Sequence, residues 1–278
     1  MTFQDLQTVL FRIYLNAGYR LAHKIDPDSF VEHLQLDGEH AELIRNLPPR
    51  EVEQFALELR SKELISMSFA MPTTCKWLQE NQPDIIQRFQ ETTSASRLDE
   101  YGVTTARKFA SFIRECHDFY DSVPAALPEV ARLELLLMAA RREQGMRGGR
   151  VPDEAAAPPA FSWDSLYWKP SRTAVADFSV DALAVLLRKK EMTDPGEPTW
   201  VVISPALSGS MPTILRITTA AYHILDAMEE PLSARQLLSL CQEREMKVSE
   251  EALRGLLTRL GNSQVIGSYH VAEKDDRA

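Results

Sequence analysis

The chain has 278 residues, 44% of them hydrophobic and 26% charged, and carries a net charge of −9. That length suits one large domain or two ordinary ones with real cores. The acidic balance weighs against a polyanionic partner such as DNA, and no apolar run approaches the ~20 residues that span a bilayer.

Met1-Thr2-Phe3-Gln4-Asp5 has no basic region followed by an apolar core, so no signal peptide is expected and the location is read as cytoplasmic. Cys75, Cys116 and Cys241 are odd in number, widely spaced and set in apolar helical contexts. Buried thiols fit that usage better than a redox pair or a metal site.

Residues 1–142 read as a helical bundle. Phe3, Leu6, Leu10, Ile13, Tyr14, Ala17 and Leu21 recur at three and four residues, which predicts one long first helix with a single apolar face. Pro48-Pro49 starts another helix with Val52, Phe55, Ala56 and Leu59 as its stripe, proline being tolerated in a first turn. Pro72-Thr73-Thr74 opens a third, and Phe109, Phe112, Ile113 and Cys116 mark a fourth. Leu127 to Ala140 is apolar nearly all round, as in a helix surrounded by others.

Between Glu143 and Ala160 the glycines and prolines, with Ala155-Ala156-Ala157, hold no periodic apolar face, so residues 143–160 are predicted to be a flexible linker. Residues 161–278 then form the second domain. Ser171 to Val180 is rich in β-formers and predicts a strand; Asp181 to Lys190 fits a strand or a short helix; Asp194-Pro195-Gly196-Glu197-Pro198 is a loop.

From Trp200 the pattern sharpens. Trp200 to Ser204 and Thr213 to Ile217 predict two strands joined through a Ser208-Gly209-Ser210 turn. Thr218 or Thr219 caps a first helix, and Ser233 with Gln236 forms a capping box for a second. Ser249 followed by Glu250 and Glu251 starts a third, whose stripe is Ala252, Leu253, Leu256, Leu257 and Leu260 and whose end is set at Gly261-Asn262. Val265 to Val271 predicts a last short strand. The fold class is therefore mainly α, an N-terminal helical bundle followed by a C-terminal α+β winged-helix module.

Catalytic and metal-binding patterns are missing from the sequence. The six histidines show no Cys or carboxylate partner at metal spacing, and neither a phosphate-cradling glycine loop nor a nucleophile elbow occurs. No catalytic residue, metal ligand or cofactor is therefore expected in this chain, which reads as a non-enzyme. What remains is a binding surface. If Thr213–Ile217 is an edge strand, its unpaired N–H and C=O groups could accept an extended peptide, unless residues 161–190 or the helical half cover it. Side chains of the third helix would line the groove, with Arg254, Thr258 and Arg259 as exposed candidates for meeting carboxylates. Recognition of DNA by that helix needs flanking cations, yet Trp200 to Ala278 holds eight Lys/Arg against ten Asp/Glu, a net −2. A winged-helix transcriptional regulator with a helical sensor domain is the alternative reading, and a standalone enzyme is a third.

The segment Trp200-Val201-Val202-Ile203, then Leu215-Arg216-Ile217-Thr218-Thr219-Ala220-Ala221-Tyr222-His223-Ile224-Leu225 and Leu232-Ser233-Ala234-Arg235-Gln236-Leu237-Leu238, resembles the precursor-peptide recognition element of ribosomal peptide natural-product pathways. Such modules look like the small chaperone of pyrroloquinoline quinone biosynthesis. Leu127-Pro128-Glu129-Val130-Ala131-Arg132-Leu133-Glu134 is similar to a segment of a bacterial helical family whose members are partner subunits of multinuclear non-heme iron-dependent oxidative enzymes. Phe69-Ala70-Met71-Pro72-Thr73-Thr74 resembles another stretch of that family, with Ala70-Met71 inserted. The whole chain is similar to accessory subunits of thiaglutamate-type pathways, in which the iron enzyme excises the β-carbon of a C-terminal cysteine on a carrier peptide.

The resemblance implies a division of labour. The iron would belong to the partner enzyme, in a heterodimer docked through the helical half. This chain would hold the leader of the precursor between the third strand and third helix of the module. By motif register that implies Thr213, Ile214, Leu215, Arg216 and Ile217 on one side, and Leu253, Arg254 and Leu257 on the other.

Overall fold

A computed structural model describes residues 3–92, 103–146, 161–170, 173–205 and 212–269. It is mainly helical, with small antiparallel sheets confined to the C-terminal half. Two compact units, Met1–Ala131 and Arg132–Ala278, divide within one long helix. Among the described residues, no helix is long and apolar enough to cross a membrane.

The first unit is built from α1 (Phe3–Leu15), α2 (Ala17–Ile25), α3 (Pro27–His33), α4 (Gly38–Arg45), α5 (Pro49–Ala70), α6 (Pro72–Asn81), α7 (Pro83–Thr92), α8 (Val103–Phe119) and the start of α9 (Ala126–Met146). Proline opens α3, α5, α6 and α7, where its missing N–H has no helical partner to lose. The expected long first helix is two. Asn16 breaks it with extended backbone, and its side chain accepts from the Tyr19 N–H, capping α2. The apolar stripe ends at that break, and Leu21 stands 58% exposed.

Leu6, Val9 and Ile13 of α1 meet Phe30, Val31, Ile44 and Val52 in one core. Farther along, Phe89 of α7 packs its ring 4.7 Å from that of Phe109 and 5.6 Å from that of Phe112, tying α7 to α8. Of the stripe expected on α5, Val52 and Ala56 are buried, whereas Phe55 is exposed and meets Tyr14 edge-on.

One carboxylate sits awkwardly in this unit. Burial pushes the Glu63 carboxyl up, opposed only in part by a hydrogen bond with Gln90 and by the Arg60 charge. A raised folded value means the native state binds this proton more tightly than the unfolded chain does. Stability is therefore lost as pH rises from the ordinary glutamate range toward the raised value. Glu63→Gln, which keeps the shape without the charge, should raise the melting temperature at neutral pH and leave it unchanged near about pH 4. Melting curves at the two pH values check this.

The second unit continues α9 to Met146, four residues into the stretch expected as linker; residues 147–160 lie outside the described residues. Then follow β1 (Leu166–Trp168), β2 (Ala174–Phe178), α10 (Ala182–Leu186), β3 (Thr199–Ser204), β4 (Thr213–Ile217), α11 (Thr219–Ala227), β5 (Leu232–Ser233), α12 (Ala234–Glu243), α13 (Glu250–Asn262) and β6 (Gly267–Tyr269). The expected Ser208-Gly209-Ser210 turn falls outside the described residues, as do His270 and Val271.

Two three-stranded antiparallel sheets form, ordered β2-β3-β4 and β5-β1-β6. β3 is the central strand of the first and is buried on both faces, with Val201, Val202 and Ile203 fully inaccessible. One face of that sheet meets the core of the three helices. Val202 joins Ile224, Leu225, Leu237, Leu253, Leu257 and Leu260 there, and Leu215 and Ile217 pack against its margin. On the other face α10 packs on β3. The N-caps fall where the sequence puts them: Thr218 Oγ1 accepts from Ala221 N–H, Ser249 Oγ from Ala252 N–H, and Ser233 and Gln236 make the reciprocal capping box.

The last helix ends at Asn262, as expected, but a glycine does not close it. α13 runs through Gly261 and Asn262, and Gln264 takes the left-handed conformation (φ 57°) while Val265 N–H reaches back to Leu260 C=O. This closure with a non-glycine residue repeats at Gln35, Arg188 and Glu245.

Candidate functional site

β4 is the edge of its sheet. It pairs with β3 from Trp200↔Ile217 to Ser204↔Thr213, and among the described residues no strand pairs with its outer side. A row of backbone donors and acceptors therefore lies open along five residues. Residues 161–190 leave that edge free, because β2 takes the opposite edge of β3 and β1 belongs to the other sheet.

Beside this edge runs a groove of about 340 Å³ between β4, the start of α11 and the C-terminal half of α13. Leu215 and Ile217 give it one apolar wall, Leu256 and Leu260 the other, and Ala221 lies between them. Arg216, Arg259, Asn262 and Ser263 are the polar lining residues besides Thr218, the cap of α11. Among the described residues, no carboxylate lines it.

The two arginines differ in state. Cross-strand partners share a face, so Arg216 projects with Val201 toward the α10 side. There its guanidinium pairs with Asp181, whose other oxygen accepts from Ala184 N–H as the cap of α10. Arg259 makes no ion pair among the described residues; its Nε donates to Gly255 C=O one turn back, at 3.3 Å.

The residues expected to bind peptide divide accordingly. Thr213, Ile214, Leu215, Arg216 and Ile217 lie together on β4, half-buried except for exposed Arg216. Leu253 and Leu257 lie in the module core, 0% and 1% exposed, and do not line the groove; Leu260 is as buried, 2% exposed, and belongs to the same core, but it also lines the groove. Arg254 lies on the opposite flank of α13, its guanidinium 5.5 Å from the Phe161 ring centroid, as a cation–π contact. Leu256, Arg259, Leu260 and Ser263 take their place, at i, i+3, i+4 and i+7 on one flank of the helix. The sequence signal that separates them is the spacing Leu253, Leu257, Leu260. That is the buried stripe, which leaves Leu256 at its border.

Nothing in the groove is a strong nucleophile or acid–base group. Burial pushes the thiol of Cys241, in the core below, up, so it stays protonated and inert at neutral pH. Among the described residues, no three His, Cys, Asp or Glu side chains gather where they could hold a metal ion. No protein-family model matches the sequence, and a search of the curated proteins finds no match.

Proposed function

We propose that the protein is a non-catalytic accessory subunit. On this reading it binds the leader of a ribosomally made precursor peptide and presents it to a partner iron-dependent oxidative enzyme that modifies a cysteine of the peptide. The observation that carries the reading is the open edge of β4 beside a groove with apolar walls. An extended chain can add to such an edge through main-chain hydrogen bonds, with alternate side chains entering the groove. The resemblance at Trp200–Leu238 supports the same reading, since there two antiparallel strands lead into helices.

Holding the leader this way would raise the effective concentration of the peptide's reacting end at the partner's iron site. The helical unit would dock that enzyme. Ile65 and Phe69, one turn apart on α5 and 69% and 87% exposed, offer apolar surface for it. A regulator reading α13 into a DNA groove is less well supported. Its first turn carries Glu250 and Glu251, and phosphates would have to lie beside them.

The test is fluorescence polarisation with the labelled leader of a short precursor peptide, sought among the genes next to this one together with an iron oxidase. Saturable binding that Leu256→Arg weakens at least tenfold, about 1.4 kcal/mol, is the expected result. Binding to a DNA duplex with a steep salt dependence, and none to peptide, would favour the regulator instead.

A further inference from the structure

The groove's polar groups are one-sided in a way that defines its ligand further. The chain carries a net −9, yet among the described residues no carboxylate lines the groove, and Arg259 is the cation on its helix side. Asp181 already neutralises Arg216. Among the described residues, Arg259 has only a backbone carbonyl of its own helix as partner, and it stands exposed at the rim. A guanidinium so placed has donors to spare for one carboxylate from outside.

Spacing adds a second constraint. Leu256 and Leu260 are the apolar side chains that α13 gives the groove, and Arg259 stands three residues from the first and one from the second. On a helix flank, positions three or four apart lie roughly 5–6 Å from each other. On a strand laid along β4, side chains on one face recur every second residue, about 6.6–6.8 Å. One face of an added strand can thus set an apolar side chain over Leu256 and, two residues away, a carboxylate at Arg259.

We infer that the groove selects extended acidic peptides in which a bulky apolar residue and an Asp or Glu stand two positions apart, the carboxylate pairing with Arg259. The inference rests on the peptide-binding reading of the groove and deepens it.

A display library of random dodecapeptides panned on the full chain tests it, with enriched peptides measured by fluorescence polarisation. Two blocking variants report groove dependence: Leu256→Arg at the wall and Asn262→Trp at the exposed rim, which leaves the core untouched. The expected result is enrichment of the apolar–any–acidic pattern among peptides that both variants reject. Arg259→Glu should cost those peptides about ten- to a hundredfold in affinity, the worth of a charge-assisted hydrogen bond. The same variant, panned afresh, should enrich Lys or Arg at the acidic position. Groove-dependent peptides without an acidic preference, or an unchanged preference in Arg259→Glu, would overturn the inference while leaving the peptide-binding reading intact. If no enriched peptide depends on the groove, both fail.

Discussion

Leu257→Ala should destabilise the C-terminal unit by about 2–5 kcal/mol, the cost of a buried leucine truncated where neighbours relax only in part. Leu257 is 1% exposed and belongs to the core with Val202, Ile224, Leu225 and Leu253. Leu256, its neighbour in sequence, is only half-buried and forms the groove wall. Leu256→Ala should therefore cost clearly less stability. Denaturant unfolding of the two variants separates the assignments, because a helix turned by one position would reverse the order of their effects.

The second large effect concerns Gly267. It pairs across β1–β6 with Trp168, whose indole occupies the space where a Cβ would stand. A Cβ at residue 267 would fall 2.6 Å from Cζ2 of the ring and closer still to Nε1 and Cε2. Gly267→Ala thus forces the indole aside and should cost about 1–3 kcal/mol, the usual range for overpacking. The origin of the loss can be isolated. In a Trp168→Ala background the same alanine has nothing to displace, so the double variant should be less destabilised than the two single effects added together. Equal and additive losses by chemical denaturation would mean that the glycine matters for another reason.

Local chemistry wrote much of this fold into the sequence. Proline at the starts of α5 and α6 and the caps Thr218, Ser233 and Ser249 place helix starts through backbone N–H groups that need acceptors. Alternation in Thr213–Ile217 foretold β4. Helix ends were harder to read. Gln35, Arg188, Glu245 and Gln264 close their helices at positive φ, so the glycine that usually marks such an end is missing. Asn16 hid a break, because apolar residues recur at helical spacing on both sides of it although the buried face ends there, with Leu21 exposed.

Non-local pairing escaped the sequence almost entirely. Leu166-Tyr167-Trp168 is a strand because β5 and β6 flank it, partners more than sixty residues away, and three residues carry no periodicity of their own. The groove shows the same limit. Its strand side follows from alternation. Its helix side depends on which leucines of Leu253, Leu256, Leu257 and Leu260 the core claims, and only packing against Val202, Ile224 and Leu225 decides that. Asp181 likewise came without a sign that it would hold Arg216, thirty-five residues on, since the contact requires α10 to lie on the β3–β4 face.

The central claim is that an extended peptide occupies the groove between β4 and α13. Its most direct test is the affinity of the labelled precursor leader for the wild-type chain and for Leu256→Arg, measured side by side by fluorescence polarisation. Both proteins should show the same circular dichroism. Saturable binding by the wild type and at least a tenfold loss in the variant are the expected results. Equal affinities in two folded proteins would contradict the claim.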